Sequence, residues 1–247
     1  MDKKTEPDSK SQFLSITFKF AEGCVLCIDK PYTWTSADVV RKIKYLLKKA
    51  GLKTVKAGHA GTLDPLATGL LIVCTGKATK QIESIQQGEK EYLADICFGT
   101  TTPSYDLETE PDGNYPFEHI TEEMLKSAMT SFLGEQEQIP PLFSAKLIDG
   151  KRAYEYARKG EFPEMKPSKI NISSMELVEY NPPVAKIKIN CSKGTYIRSL
   201  ARDLGAVLNS GAHLSSLRRT ASGEYKVDSA LTINELLCIF DVGKYTG

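Results

Sequence analysis

Asp64 stands in the stretch Gly58–Gly69, GHAGTLDPLATG, whose make-up suits the display of a single carboxylate. Glycines at 58, 61 and 69 admit positive φ or the close approach of another chain. Pro65 biases Asp64 towards an extended backbone and away from helix. A carboxylate held on such a stiff turn can serve as a nucleophile or a general base. The same residues also describe a plain turn, with Asp64 capping a short helix and Pro65 at its first position. On residue types alone both readings stand.

The elements that must position this stretch follow from hydrophobic spacing. Cys24–Ile28 reads as a short strand ending in Asp29-Lys30-Pro31. Ser36 offers a helix N-cap, and Val39, Val40, Ile43, Leu46, Leu47 and Ala50 follow at helical spacing, with Gly51 as the closing glycine. Leu70 to Thr75 reads as a buried strand, and Gly76–Lys80 opens another helix. A phosphate-binding loop fails here: the preceding glycine is Gly69, seven residues before Gly76, and Ala78 replaces the metal-binding Ser or Thr. Tyr92–Phe98 alternates as a half-buried strand should.

Beyond a loop over residues 99–116, Thr121–Leu133 predicts a helix capped by Thr121. Met124, Leu125, Ala128, Met129 and Phe132 are expected inside it. Residues 136–166 are irregular apart from a short helix over Arg152–Arg158, which suggests a functional flap. Ile170–Tyr180 and Val184–Cys191 predict a hairpin across Asn181-Pro182-Pro183. Thr195–Leu208 predicts a helix with Ile197, Leu200, Ala201 and Leu204 inside. A strand signal lies in 214–227 and a last helix over Thr232–Phe240. Phe13–Phe20 reads as an edge strand after a disordered tail of about twelve residues. Interleaved helices, strands and hairpins predict an α+β fold: one catalytic domain over residues 13–247, with a mixed, mostly antiparallel sheet flanked by helices and loops.

Composition narrows the function. The 247 residues, 41% hydrophobic and 26% charged, suit a soluble globular protein. No apolar run approaches the roughly 20 residues that span a bilayer, and the polar N-terminus lacks a signal-peptide core. A cytoplasmic location without membrane association is expected. The six scattered cysteines read as reduced thiols, and no second Cys/His pair with zinc spacing accompanies Cys24 and Cys27. No metal is expected. The net charge of +1 hides an asymmetry. Seven basic residues and no acid lie between Arg41 and Lys56, and nine carboxylates lie between Glu91 and Lys126. A second basic stretch, without an acid, runs from Val184 to Arg202. Two basic stretches suit a polyanion; each also reads as a solvated face.

Several separated motifs resemble one family. GHAGTLDPLATG followed by LLIVCTGKATK resembles the signature of bacterial tRNA pseudouridine synthases of the TruB type. The likeness extends over Asp29-Lys30-Pro31 with Thr35-Ser36, Lys90-Glu91-Tyr92, and Gly99 with Thr102 and Asp106. It continues in Gln138-Ile139-Pro140-Pro141 with Phe143-Ser144-Ala145, in Ala153–Arg158, in Cys191–Arg198 and in Leu217-Arg218-Arg219. It runs from about residue 23 to 240. Two positions depart: Thr33 stands where the family has glycine, and Leu147 where it has a lysine, with Lys146 one place earlier. The small C-terminal RNA-binding (PUA) domain of many relatives is expected to be absent.

The resemblance implies the pseudouridine synthase fold and isomerisation of uridine 55 in the T-loop of tRNA, without a cofactor. It assigns Asp64 as the essential nucleophile or base, acting at C1′ directly or through a glycal after taking a C2′ proton. Arg198 is its expected partner and Tyr92 the expected tyrosine against the flipped-out uracil. Lys30, Tyr196 and Leu217 are expected to shape the pocket, and His59 to keep the base extruded. Lys42, Lys49, Lys56, Lys146 and Arg152, with the flap at about residues 138–166, are candidates for gripping the RNA, with a monomer as the expected state. Two rival functions are a synthase acting on another RNA and a tRNA-folding chaperone, the latter able to coexist with catalysis.

Overall fold

The computed structural model describes residues 19–144, 146–148, 150–161 and 163–241. The chain forms two compact units: the first takes in residues up to Gly88 and again from Arg219, and the second runs from Glu89 to Arg218.

The first unit begins with a helical turn at residues 19–22, not the end of an edge strand. Phe20 is buried there and stacks on Phe240, ring centroids 5.1 Å apart, which fixes the turn by its tertiary contact. The rest of the expected strand, and the expected tail, lie outside the described residues. There follow β1 (Val25–Lys30), α1 (Ser36–Lys49), β2 (Ala57–His59), β3 (Ala67–Thr75), a 3-10 helix (Gly76–Gln81) and α2 (Ile82–Gln87). β1 and β2 both pair antiparallel with β3, in registers that set Lys30 opposite Gly69 and His59 opposite Val73.

β3 explains why Leu70–Cys74 is apolar without alternation. All five residues are fully buried, so both faces of the strand meet apolar neighbours. On one face Leu70 and Ile72 join Ala60, with Cys27, Ile82 and Tyr225 packed against them. α1 buries Val39, Ile43, Leu46 and Leu47 and leaves Arg41, Lys44, Lys48 and Lys49 exposed. Its N-cap is Thr35, not Ser36. Thr35 accepts from the Asp38 amide at 3.0 Å, and the Asp38 carboxylate accepts from the Thr35 amide at 2.9 Å, a complete capping box. Ser36 is the first helical residue, and its hydroxyl is used elsewhere.

The second unit contains β4 (Lys90–Phe98), β5 (Thr100–Thr101), β6 (Gly113–Asn114), α3 (Glu122–Ser131) and β7 (Gly134–Gln138). Next come β8 (Leu147–Ile148), β9 (Lys151–Arg152), α4 (Ala153–Ala157), β10 (Ser168–Asn181), β11 (Val184–Cys191) and α5 (Ile197–Val207). β11 lies between β4 and β10, and β10 also pairs with β7; all three ladders are antiparallel. Alternate residues of β4 and β11 are buried, with Ile189 opposite Tyr92 and Ile187 opposite Ala94. α5 buries Ile197, Leu200, Ala201 and Leu204 as expected, and Arg198 as well. In α3 Leu125, Ala128 and Met129 are buried but Met124 is 41% exposed. One position before Leu125 is a rotation of about 100° around the helix, which carries Met124 off the apolar stripe.

β12 (Ala212–Ser222) carries the chain from the second unit back into the first, where β13 (Tyr225–Lys226) pairs with its end and α6 (Ile233–Asp241) follows. Among the described residues no helix is long and apolar enough to cross a membrane, and no group of His, Cys, Asp and Glu is placed to hold a metal ion.

Candidate active site

Asp64 lies on the loop that joins β2 to β3, and its carbonyl accepts the Ala67 amide at 3.1 Å. Gly61 near its start and Gly69 just inside β3 hold φ of +107° and +97°, a region from which a Cβ is sterically discouraged. Three side chains from separate elements of the first unit clamp the loop backbone. Lys30, at the end of β1, donates from Nζ to the carbonyls of Pro31 (3.0 Å), Trp34 (2.5 Å) and Pro65 (3.2 Å). The Ser36 hydroxyl donates to the Leu63 carbonyl at 3.1 Å and accepts the Leu63 amide at 2.8 Å. Arg219 donates from Nε to Leu70 O at 2.7 Å, and its two terminal nitrogens reach Thr62 O and Gly61 O at 3.4 Å each. The backbone on both sides of Asp64 is thus tied to donors that cannot move far.

Lys30 and Arg219 are 0% and 1% exposed, so the clamp consists of two fully buried cations satisfied by carbonyl dipoles. Hydrogen bonds that involve a charged group contribute about 1.5–3 kcal/mol each. Burial pushes the Lys30 ammonium down to about 8; the charge of Asp64 opposes that shift and the charge of Arg219 adds to it. Above that pH the amine keeps two N–H groups for three carbonyls, and its positive charge near Asp64 is gone. The activity that the resemblance implies is therefore expected to fall as pH rises through about 8. A pH–rate profile checks this, and an alkaline limb at the same pH in Lys30→Arg would assign it to another group. Stability moves the other way. Between about 8 and 10.5 the unfolded chain holds the Lys30 proton and the folded chain does not, so the folded state gains as pH rises across that window.

His59, in β2, is partly buried, and this burial holds its imidazole below the ordinary value. A hydrogen bond to the Gly61 backbone opposes the shift and the Arg219 charge adds to it. His59 is accordingly neutral at neutral pH. In the turn before α1, Thr33 holds φ of +69°, the left-handed backbone that glycine adopts without strain. Such a conformation costs a non-glycine residue of order 1–3 kcal/mol.

The second unit carries Tyr92, Tyr196, Arg198 and Leu217. Tyr92 and Leu217 are each 8% exposed, on β4 and β12. Tyr196 is the N-cap residue of α5, and Gln138 brackets it, accepting its amide at 2.8 Å and donating to its carbonyl at 3.1 Å. Arg198 is buried at 3% exposure, contrary to what an isolated helix arginine suggests. Its Nη1 donates to Ser104 O at 3.2 Å, and its Nε stands 3.6 Å from the carboxylate of Asp106, itself buried. Asp106 also accepts the Glu108 amide at 3.0 Å, which holds its carboxylate towards the arginine.

Of the RNA-gripping candidates, Lys49, Lys56 and Arg152 are exposed and Lys42 is partly so. Lys146 is engaged by its own chain, donating to Lys166 O at 2.7 Å and Ser168 Oγ at 2.8 Å, while Leu147 is 62% exposed. Sequence reasoning missed Ser36 and Arg219 as holders of the Asp64 loop, and Ser104, Asp106 and Gln138 as holders of Arg198 and Tyr196. Arg219, Asp106 and Gln138 lie inside recognisable motifs, but nothing in their spacing points to backbone carbonyls distant in the chain.

Comparison with known proteins matches residues 48–197 to the TruB family pseudouridylate synthase N-terminal domain. Residues 198–244 match the tRNA pseudouridylate synthase B C-terminal domain. The chain is 56% identical over 215 residues to the tRNA pseudouridine synthase B of Phocaeicola vulgatus, covering 87% of this chain and 92% of that protein. It is 52% identical over 217 residues to that of Flavobacterium johnsoniae, covering 87% and 95%. Among solved structures, a chain of a Cbf5-Nop10-Gar1 complex aligns with a TM-score of 0.71 at 30% identity over 93% of this chain. A chain of an H/ACA RNP bound to a substrate RNA containing 2′-deoxyuridine aligns with a TM-score of 0.68 at 26% identity over 98% of this chain. This chain spans 58% and 61% of those two. This chain has the α+β pseudouridine synthase fold expected from the sequence, with its mostly antiparallel sheet. With both parts of the family pattern matched in order, and relatives more than half identical along most of their length, the chain belongs to the TruB family of pseudouridylate synthases.

Proposed function

We propose that the chain is a tRNA pseudouridine synthase that isomerises uridine 55 of the T-loop, with Asp64 as the essential nucleophile or base. The observation that carries the reading is the Asp64 loop itself. A partly exposed carboxylate sits on a backbone clamped by Lys30, Ser36 and Arg219, in a chain that belongs to this family. Rigid placement is what the reaction requires. The N1–C1′ bond breaks, the uracil turns while still held, and a C5–C1′ bond forms; the C5 hydrogen leaves as a proton and N1 regains one. No electrons are gained or lost overall, and a fixed carboxylate can supply the nucleophile at C1′ or the base at C2′.

The stacked uridine must first leave the loop, at a cost of a few kcal/mol. Tyr92 receives the extruded base, Arg198 serves as the cationic partner of the carboxylate, and His59 as a neutral imidazole helps keep the base out. Tyr196 and Leu217 shape the pocket. Arg198 is prepared for its task by Asp106 and Ser104, which fix the guanidinium from one side. Lys42, Lys49, Lys56 and Arg152 grip the phosphates of the T-arm, and Lys146 braces the flap that carries Arg152. The enzyme works as a cytoplasmic monomer. Phosphate contacts make binding salt-dependent, while loop shape selects the site.

The test is incubation with an unmodified tRNA transcript followed by mapping of pseudouridine. One modified position in the T-loop, uridine 55, is expected. Modification of a different uridine, or of ribosomal RNA alone, overturns the site; absence of pseudouridine from every RNA overturns the activity.

A further inference from the structure

Trp34 is the chain's single tryptophan, and it lines an open concavity with Thr33, Asp38, Arg41 and Lys42. One helical turn beyond Arg41 and Lys42 stands Tyr45, 57% exposed, with the Lys42 ammonium 5.9 Å from its ring centroid. A further turn brings Lys48 and Lys49, both exposed. Positions 38, 41, 42, 45, 48 and 49 recur at i+3 and i+4 spacing, so they share one side of α1. Between Trp34 and Lys56 the acids number one, Asp38, and its carboxylate is taken by Thr35 and Arg41. Tyr45, more than half exposed, is not one of the buried core residues.

Cations alternating with aromatic faces match the needs of an unpaired nucleic-acid strand, whose bases stack and whose phosphates need charge. An RNA duplex offers phosphates but hides its base faces, so it would leave the rings unused. An acidic peptide would leave them unused too. We propose that this side of α1 binds an unpaired RNA strand, with bases stacked on Trp34 and Tyr45 and phosphates at Arg41, Lys42, Lys48 and Lys49. The proposal rests on the reading of the chain as an RNA-acting enzyme and gives it a second contact, apart from the uridine that reacts.

Because no other tryptophan is present, Trp34 emission reports the site in the unlabelled wild-type chain. The full chain is titrated with a single-stranded RNA of about ten nucleotides and with a blunt duplex of equal length. Stacking of a base on an aromatic side chain is worth about a factor of ten or more in affinity. The single strand is expected to quench Trp34 and the duplex to leave it unchanged. Tyr45→Ala, at an exposed position, is expected to weaken the single strand about ten-fold. By anisotropy of a labelled strand, Trp34→Phe should weaken binding less than Trp34→Ala. Unchanged emission at saturating single strand, equal quenching by the duplex, or unaltered affinity in Tyr45→Ala would each overturn the site. Pseudouridine formation by the wild type is scored separately. An active enzyme with silent Trp34 loses the stacking site and keeps the reaction; an inactive one with quenched Trp34 loses the reaction and keeps the site.

Discussion

Asp64→Asn is expected to lower pseudouridine formation by roughly 10⁴-fold or more, the scale seen when an essential member of a catalytic group is removed. Its unfolding temperature should match that of the wild type. Asparagine has nearly the shape of aspartate but neither a nucleophilic oxygen nor a basic one at neutral pH. The clamps on the loop engage backbone groups of Gly61, Thr62, Leu63, Pro65 and Leu70, so they survive the substitution. Losing the Asp64 charge also removes the influence that holds the Lys30 ammonium up, so Lys30 should titrate lower in the variant. Single-turnover assay of modified tRNA, with a thermal melt of the same preparation, decides the matter. Substantial product from Asp64→Asn would falsify the assignment. If the variant still accelerates tRNA folding, a chaperone role stands independently of the chemistry.

Arg219→Met should damage both the fold and the reaction. Methionine keeps part of the volume but supplies none of the donors to Leu70, Thr62 and Gly61. Buried carbonyls left without partners cost about 1–3 kcal/mol each, though some will relax or take up water. A total near 3 kcal/mol lowers Tm by about 6–12 °C in a chain of this size. The same release lets the Asp64 loop wander, and a misplacement of about 1 Å can cost 10²-fold in rate. Arg219→Lys keeps the charge but not the fork, so it should recover part of the stability and less of kcat. The discriminating readout is kcat against KM for tRNA at a temperature where the variant is folded. A positioning role predicts a fall in kcat with little change in KM, whereas equal loss of active protein alone would leave both unchanged per folded molecule. Wild-type kcat in folded Arg219→Met would sink the positioning role.

Which parts of this protein were legible beforehand depended on the range of the interactions. Local rules sufficed for most elements. The apolar run after Gly69 is a strand buried on both faces, the alternation in Val184–Cys191 is a half-buried strand, and the stripe of Val39, Ile43, Leu46 and Leu47 is a helix with lysines outside. Where local reasoning went astray, a competing contact explains it. Ser36 looked like a cap, but Thr35 caps and Ser36 is drawn to Leu63; Phe20 looked like strand, but it stacks on Phe240 in a helical turn.

The chemistry divides in the same way. Residue types and spacing alone determined that Asp64 sits on a glycine-flanked, proline-stiffened turn at a strand mouth, and left capping and catalysis both open. The ordered motifs then pointed to the family. Only the tertiary structure decided that the turn is held by two buried cations and a hydroxyl, that Arg198 is buried against Asp106, and that Lys146 is engaged by Lys166 and Ser168 of its own chain. The reason is physical. Backbone carbonyls carry no trace in the sequence of who will donate to them, and Arg219 finds its acceptors about 150 positions away along the chain.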